Sequence, residues 1–467
     1  MSLVKKLAGE TAIYGISSIL SRLLNYVLLT PFFTRVFFKG EYGAISILFT
    51  VSAFLMILFT YRMETAFFRF GNQKEDLNKT FSTASISLLT STLVFLLLGH
   101  LASTEISNLL TFPDHPEYFI LLLWLIAFDA LSAIPFARLR LENRPFKFAF
   151  IKTLNIVINI IAAYFFLSWL PYLIDRGFSQ LSFLYDADNR IIYVFISQLI
   201  ASIITFLYLV PLYFKMQWQF DTELWKRMFW YAMPLIIVGI AAVINSLIAI
   251  PLLKIYLPET LEKNQEVAGL YGATAKLAIL MNLFTQAFNY AAEPFFFRNA
   301  DREDSKQIYA DVGQAFALVG SIVFLGIMLY LDVIKFFLGK DFQTGLEIVP
   351  ILLLANFCLG LYYNFSIWYK LTDRTKIGGY ISLGGVAITL AINIIFIPII
   401  QYPAPAWSAL TCYGFMAAMS LKKKKKYYPV PYPIQRMLSY ILIAVGVFSL
   451  NTLLLEMLQL EQLLSIT

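Results

Sequence analysis

The sequence predicts an all-α polytopic membrane protein with about thirteen transmembrane helices. Three observations lead to this fold class: the composition, the length of the apolar runs and the distribution of basic residues. Of the 467 residues, 59% are hydrophobic and only 14% are charged. A soluble domain carries about 25% charged residues, so this chain has too few to cover a water-facing surface.

The apolar runs are long enough to cross a bilayer, which takes about 17 to 25 helical residues. Each run must be helical because unpaired backbone groups cannot face lipid. The first run is too long for a cleaved signal peptide and contains Arg22. The predicted spans are residues 8–33, 43–61, 81–100, 117–137, 147–169, 190–213, 229–253, 268–292, 313–334, 347–368, 378–400, 404–420 and 436–456.

The basic residues fall almost entirely in alternate loops. One set of alternate segments holds 25 of the 36 Lys and Arg residues and the other holds eight, with three inside spans. A wrong span count would scramble this asymmetry, and the positive-inside rule then places the N-terminus in the cytoplasm. The run Lys422–Lys426 is interpreted as a topology anchor, with binding of anionic lipid head groups as the alternative.

The two halves of the chain repeat each other in the same orientation. Tyr42–Ala44 and Tyr271–Ala273 both read Tyr-Gly-Ala, and Glu64–Arg69 and Glu293–Arg298 both read Glu-x-x-Phe-Phe-Arg. The two motifs are 21 positions apart in each half, counted from the glycine to the glutamate. A parallel repeat of six spans is known from transporter folds. We therefore expect an N-lobe (1–216), a C-lobe (217–421) and a basic loop with a C-terminal helix (422–467).

Polar side chains inside the spans are the candidate substrate-cavity residues. A charged side chain at mid-bilayer costs at least about 2.5 kcal/mol, so it should face protein or a water-filled cavity. For a single asparagine, hydrogen bonding between helices is the simpler explanation. For Arg22 and Lys276 we favour binding of an anionic cargo, whereas Lys152 lies nearer the cytoplasmic end and could equally extend to the membrane surface. The candidates are Arg22, Asn25, Lys152, Asn155, Asn159, Asn245, Lys276, Gln286 and Tyr290.

A second group of charged residues is predicted to act in gating or coupling. Glu64 and Glu293 each lie five residues before an arginine, Arg69 and Arg298, near the cytoplasmic ends of their spans. A structural ion pair explains that spacing as well as a coupling role does. Asp129 is the one carboxylate near the middle of a predicted N-lobe span.

Several function classes are excluded by what the sequence lacks. It has no Gly-x-x-x-x-Gly-Lys-Ser/Thr loop and no His/Cys/Asp cluster with metal-ligand spacing. No predicted loop exceeds about 25 residues, whereas a catalytic domain needs about 50. We therefore expect a transporter and not an enzyme, with no cofactor, no nucleic-acid partner, and energy from H+, Na+ or another gradient.

Several segments resemble the bacterial polysaccharide biosynthesis (oligosaccharide flippase) proteins of the multidrug/oligosaccharidyl-lipid/polysaccharide (MOP) exporter superfamily. They are Glu64–Arg69, Gln286–Phe288, Ala292–Phe297, Val349–Asn356, Tyr362–Thr372 and Tyr428–Tyr432. The resemblance implies a MATE-like fold of two six-helix bundles around a central cavity, in the bacterial inner membrane. It also implies movement of polyprenyl-pyrophosphate-linked oligosaccharide from the cytoplasmic to the outer leaflet. The cargo would be a precursor of O-antigen lipopolysaccharide, capsule or exopolysaccharide, and other polysaccharide-assembly proteins would be partners.

The sequence departs from that family in span seven, where Ser246, Ala249 and Ile250 stand in for charged residues. The departure puts an ion-pair gate there in doubt. The alternatives are an ion-coupled multidrug or small-molecule exporter of the same superfamily, a membrane-bound polymerase or ligase, and a scaffold for polysaccharide enzymes.

Overall fold

The computed structural model describes residues 23–71, 76–300, 302–372 and 374–464, and all regular secondary structure within them is helical. The α-helices of the first half lie between residues 23 and 247. They are α1 (Leu23–Val36), α2 (Lys39–Thr60), α3 (Met63–Gly71), α4 (Leu77–Leu101), α5 (Ser103–Leu109), α6 (Pro116–Leu141), α7 (Pro145–Tyr164), α8 (Leu170–Asp175), α9 (Ile192–Phe214) and α10 (Thr222–Leu247).

The second half begins with α11, a short helix directly after α10. Its helices are α11 (Ala249–Tyr256), α12 (Leu261–Leu277), α13 (Ile279–Arg298), α14 (Ser305–Leu329), α15 (Leu331–Ile334), α16 (Val349–Leu371), α17 (Thr375–Ile400), α18 (Ala404–Tyr427) and α19 (Ile434–Leu464).

Ten helical segments of the described residues are long and apolar enough to cross a membrane, and the bent pair α12 and α13 makes an eleventh. Each of the eleven coincides with a predicted span. Two predicted spans do not meet this criterion. The first predicted span lies mostly outside the described residues, and only its last part is described, as the short helix α1. The other is α18, which is rich in weakly apolar Ala and Ser and has five lysines near its end. The polytopic fold is confirmed, and the count of thirteen stays a prediction.

The chain divides into two compact units, the first ending at Val243 and the second beginning at Ile244. This boundary lies within α10, whereas the sequence repeat placed it in the loop before α10. Local contacts explain the difference. Lys79 Nζ lies 2.6 Å from Asp221 Oδ2, and the Trp225 indole N–H donates to Ser87 Oγ at 2.7 Å, so the first half of α10 is held by α4.

The core of unit 1 is built from the inward faces of α3, α4, α6, α7, α9 and α10. Phe67 and Phe81 are fully buried there with their ring centroids 6.0 Å apart, and Met228 of α10 belongs to the same cluster. Burial of such side chains is worth about 1.5–3 kcal/mol each in water. Inside a membrane their close packing, and not the hydrophobic effect, holds the bundle together.

Unit 2 is organised around α16, which packs against α13, α14 and α18. Glycines permit the close approach: a Cβ at Gly320 would lie 2.4 Å from the Phe357 ring, and one at Gly360 would lie 2.3 Å from the Phe316 ring. Small residues at helix contacts are the usual means of bringing membrane helices together. On the α18 side, the buried Ser420 hydroxyl donates to the Phe365 carbonyl at 2.8 Å.

Candidate functional site

The second span ends in a sharp break that positions Glu64. Tyr61 and Arg62 have φ values of 34° and 58°, a left-handed conformation that side chains rarely adopt. The break turns Arg62 back toward α3, with its Nη1 3.8 Å from Glu64 Oε1. The Glu64 Oε2 atom is buried and has no hydrogen-bond partner. The break therefore places an under-satisfied carboxylate beside a guanidinium.

Arg69 does not form the ion pair with Glu64 that its spacing suggested. Its guanidinium carbon lies 4.3 Å from the centroid of the Tyr231 ring, on α10. A cation over an aromatic face is a favourable contact of about 0.5–1 kcal/mol at an exposed site. Glu64 is instead within electrostatic range of Arg62 and Arg140. Five residues of helix separate Glu64 from Arg69 by more than one turn, so the two side chains diverge.

A polar cluster lies between α6, α7 and α9 in unit 1. The Ser202 hydroxyl donates to Asp129 Oδ1 at 2.7 Å, and the amide of Asn155 donates to Thr205 Oγ1 at 2.9 Å. Lys152 lies within electrostatic range of Asp129 and stands 4.2 Å from the centroid of the Phe136 ring. The predicted residues Asp129, Lys152 and Asn155 therefore belong to one cluster, which holds both an anion and a cation.

Sequence reasoning missed the contribution of α9 to this cluster. Ser202 and Thr205 are 1% and 4% exposed, three residues apart on one face of a strongly apolar helix. That spacing was a usable signal, since two hydroxyls on one helical face need partners when they are buried. Asn159 is half-buried on α7, one turn beyond Asn155.

The eighth span is broken in unit 2 beside Lys276. Helices α12 and α13 meet at Ala278 with a bend of 45°. The amide of Asn356 on α16 donates both to the Ala278 carbonyl at 3.5 Å and to the Leu352 carbonyl at 2.9 Å. A broken helix is tolerated at membrane depth only where other groups satisfy its backbone, and Asn356 does this. Lys276 is half-buried directly before the break.

Gln286 lies two turns beyond the break, on α13. Its amide donates to Asn282 Oδ1 at 2.7 Å, one helical turn earlier. The predicted residue Gln286 is therefore paired with Asn282 on the same face of α13. Tyr290, Glu293 and Arg298 follow on the same helix, but their side chains lie outside the described residues.

Asn245 is held in a buried network between α10, α17 and α18. Its amide donates to the Ser382 carbonyl at 3.3 Å, and its side-chain oxygen accepts from Thr389 Oγ1 at 3.2 Å. Its backbone carbonyl accepts from the Tyr413 hydroxyl at 3.1 Å. These bonds use both ends of the side chain, so the structure favours the helix-joining explanation over a cargo contact.

The same network continues along α17. The Asn393 amide, which is fully buried, donates to the Thr389 carbonyl and to Ser408 Oγ, both at 2.7 Å. Asn393 and Ser408 were not among the predicted site residues, and they extend the polar contact from α17 to α18.

The remaining predicted residues lie at the beginning of the chain. Arg22 is outside the described residues, and Asn25 is exposed on α1. Among the residues that the structure describes, no group of three or more His, Cys, Asp or Glu side chains comes close enough to hold a metal ion.

This helical fold is shared with solved structures of membrane transporters. The lipid II flippase MurJ, in its inward closed conformation, superposes with a TM-score of 0.74 at 16% identity, over 95% of this chain and 92% of MurJ. No family model matches the chain, and no curated protein matches it.

Multidrug transporters share the same fold. A MATE family transporter of the MOP superfamily, inward-facing, has a TM-score of 0.63 at 12% identity, over 88% of this chain and 96% of that one. The MATE multidrug transporter DinF-BH gives 0.59 at 15% identity, over 92% of this chain and 97% of that one. These proteins are a flippase and membrane transporters, and at 12–16% identity the likeness shows the fold.

Proposed function

We propose that this protein is a flippase that moves a polyprenyl-pyrophosphate-linked oligosaccharide from the cytoplasmic to the outer leaflet of the bacterial inner membrane. The observation that carries the proposal is the pair of cations inside the spans, Lys152 in unit 1 and Lys276 in unit 2. A pyrophosphate carries negative charge into a region where an uncompensated charge is costly, and an ammonium group offsets that cost. The fold shared with a lipid II flippase supports the same class of cargo.

An amide near Lys152 suits the sugar part of such a cargo. Asn155 lies three residues after Lys152 on α7 and donates a hydrogen bond to Thr205 Oγ1. The Asn155 amide, which donates one hydrogen to Thr205, has a second N–H and its own oxygen for sugar hydroxyls.

A test of the proposal measures the leaflet distribution of the lipid-linked oligosaccharide in cells that depend on this protein. We expect Lys152→Ala and Lys276→Ala to lower the outward rate at least about tenfold, equivalent to about 1.4 kcal/mol, at unchanged membrane abundance. Lys263→Ala, at an exposed lysine of unit 2, is the matched control. A normal flipping rate in both Lys152→Ala and Lys276→Ala would show that neither lysine contributes to transport.

Ion-coupled export of a small molecule is the second candidate, and Asp129 is the observation that favours it. A carboxylate that accepts a hydrogen bond from Ser202 and lies near a lysine can exchange a proton or bind Na+. Under this alternative, Asp129→Asn abolishes drug efflux from whole cells and does not change the distribution of the lipid-linked oligosaccharide between the two leaflets. Under the flippase proposal, the same substitution changes only the response of flipping to the ion gradient.

A further inference from the structure

The five lysines at the end of α18 differ in their exposure to solvent. Lys424 is only 4% exposed, its ammonium donates to the Val430 carbonyl, and it lies 4.2 Å from the centroid of the Tyr432 ring. This lysine therefore ties the segment after α18 back onto the helix. The other four lysines of the run are exposed: Lys422, Lys423, Lys425 and Lys426.

Two further helices bring cations to the same end of unit 2. The guanidinium carbon of Arg374, directly before α17, lies 4.4 Å from the centroid of the Tyr427 ring. The ammonium of Lys306, at the start of α14, lies 5.4 Å from the centroid of the Tyr428 ring. Both cations are exposed. With the four exposed lysines of α18 they form what we call the α18 basic rim.

The rim is built on a rigid aromatic base. The ring of Tyr427 stacks on that of Trp368 with a centroid distance of 5.5 Å, and Trp368 is only 1% exposed. The nearest acidic side chain in sequence to Lys306 is Asp304, which is paired with Arg302 at 2.8 Å. The rim therefore concentrates positive charge on a fixed surface, and the adjacent carboxylate already has a cation of its own.

We propose that the α18 basic rim binds the phosphate groups of anionic phospholipids in the leaflet that it faces. The rim lies where α18 ends and the membrane helices α14 and α17 begin, which is the depth of the head groups, and its tyrosines are of the type enriched there. Clusters of four to eight Lys and Arg residues beside a membrane helix bind anionic lipid, and the guanidinium of Arg374 can donate two parallel hydrogen bonds to one phosphate. This site is separate from the proposed cargo-binding lysines and does not depend on the proposed function.

The test uses the full-length protein in nanodiscs that contain phosphatidylcholine and phosphatidylglycerol. Native mass spectrometry then counts the lipids of each class that remain bound to the released protein. We expect retained phosphatidylglycerol to exceed its share of the nanodisc, and Lys422→Gln/Lys425→Gln to reduce that excess about tenfold or more, since each charge contributes about fivefold. The matched control is Lys263→Gln/Lys340→Gln, which removes two exposed lysines elsewhere in unit 2.

Two additional arms separate charge from structure and lipid from free phosphate. Lys422→Arg/Lys425→Arg should keep the preference, because it keeps both charges. On the unmodified protein the preference should fall as salt rises from about 0.1 to 1 M, since the screening length shrinks from about 10 to 3 Å. The proposal would be overturned if the rim variant and the control variant retained the same excess of phosphatidylglycerol, or if salt did not change that excess. Displacement of the lipid by millimolar inorganic phosphate would also overturn it, in favour of a soluble-phosphate site.

Discussion

The guanidinium of Arg62 occupies the space that a side chain at residue 239 would need. An ideal Cβ built on Gly239 would lie 2.5 Å from Arg62 Nη2 and 2.8 Å from its Nε. The left-handed break after α2 turns the Arg62 side chain toward α10, and the missing side chain of Gly239 leaves space for it. This contact, with Glu64 beside it, joins the break to the second half of α10 within unit 1.

Replacing Gly239 by alanine should push the Arg62 guanidinium away from both α10 and Glu64. Overpacking of this kind costs about 1–3 kcal/mol, which should lower the Tm of the detergent-solubilised protein. The double variant Gly239→Ala/Arg62→Ala should recover part of that loss, because it removes the clash. Gly446→Ala is the matched control: its new Cβ meets nothing within 4 Å, so a helical alanine there should not destabilise. Equal Tm values for Gly239→Ala and Gly446→Ala would contradict the contact.

Asn245 should matter for stability more than for cargo. Asn245→Ala removes the bonds to Ser382 and Thr389, and interhelical hydrogen bonds in membranes average about 0.6 kcal/mol each. We expect a lower Tm and a flipping rate that falls only in proportion to the folded protein. A rate per folded molecule that drops tenfold at unchanged Tm would instead return Asn245 to the substrate cavity. Ser321→Ala, whose hydroxyl bonds only within its own helix, serves as the comparison.

Asn356→Ala should loosen the break in the eighth span. The substitution leaves the Ala278 carbonyl without the amide that satisfies it, at a cost of about 1–3 kcal/mol. Hydrogen exchange at the amides around residues 276–282 should then accelerate, whereas exchange in α14 should not change. Asn356→Gln, which keeps the amide group, should restore part of the protection. Unaltered exchange near Lys276 in the alanine variant would show that Asn356 does not support the break.

The ion pair that anchors the start of α10 should make stability depend on pH. The backbone N–H of Leu224 and the ammonium of Lys79 hold the pKa of Asp221 below its usual range. A lowered carboxyl pKa stabilises the folded state above the unfolded value of about 3.9, and this contribution is lost as the pH falls through the folded value. Asp221→Asn, which can still cap the helix, should therefore lower the Tm at neutral pH, and the difference should shrink below pH 4. Asp188→Asn, at an exposed loop aspartate, should show no such pH-dependent difference.

Hydropathy predicted the spans well because a membrane helix must be apolar along its length whatever it packs against. The break inside the eighth span was harder to predict. Residues 276–279 read Lys-Leu-Ala-Ile, without the proline or glycine that usually marks an interruption, so the break beside Lys276 depends on Asn356 from another helix. Tertiary contacts of this kind leave no periodic signal along the chain.

The polar residues inside the spans can be listed from the sequence, but their hydrogen-bond partners cannot. Polar residues inside spans stand out because burial is costly, which is how Asp129, Lys152 and Asn245 were found. Their partners come from helices far away in sequence, such as Ser202 for Asp129 and Thr389 for Asn245. Helical spacing also suggested Arg69 as the partner of Glu64, and the left-handed break at Tyr61 and Arg62 supplied Arg62 instead.

That break also fixes how the second span responds to bilayer thickness. The 22 residues of α2 measure about 33 Å, close to the roughly 30 Å of a hydrocarbon core. Because α2 ends at this break, α3 with Glu64 and Arg69 does not continue the axis of α2. A thinner bilayer therefore does not have to tilt or expose α2 and α3 as one straight helix. Hydrophobic mismatch at this end can be absorbed by rotation at two residues, so the protein should tolerate lipids of different chain length here without moving its charged side chains into the acyl region.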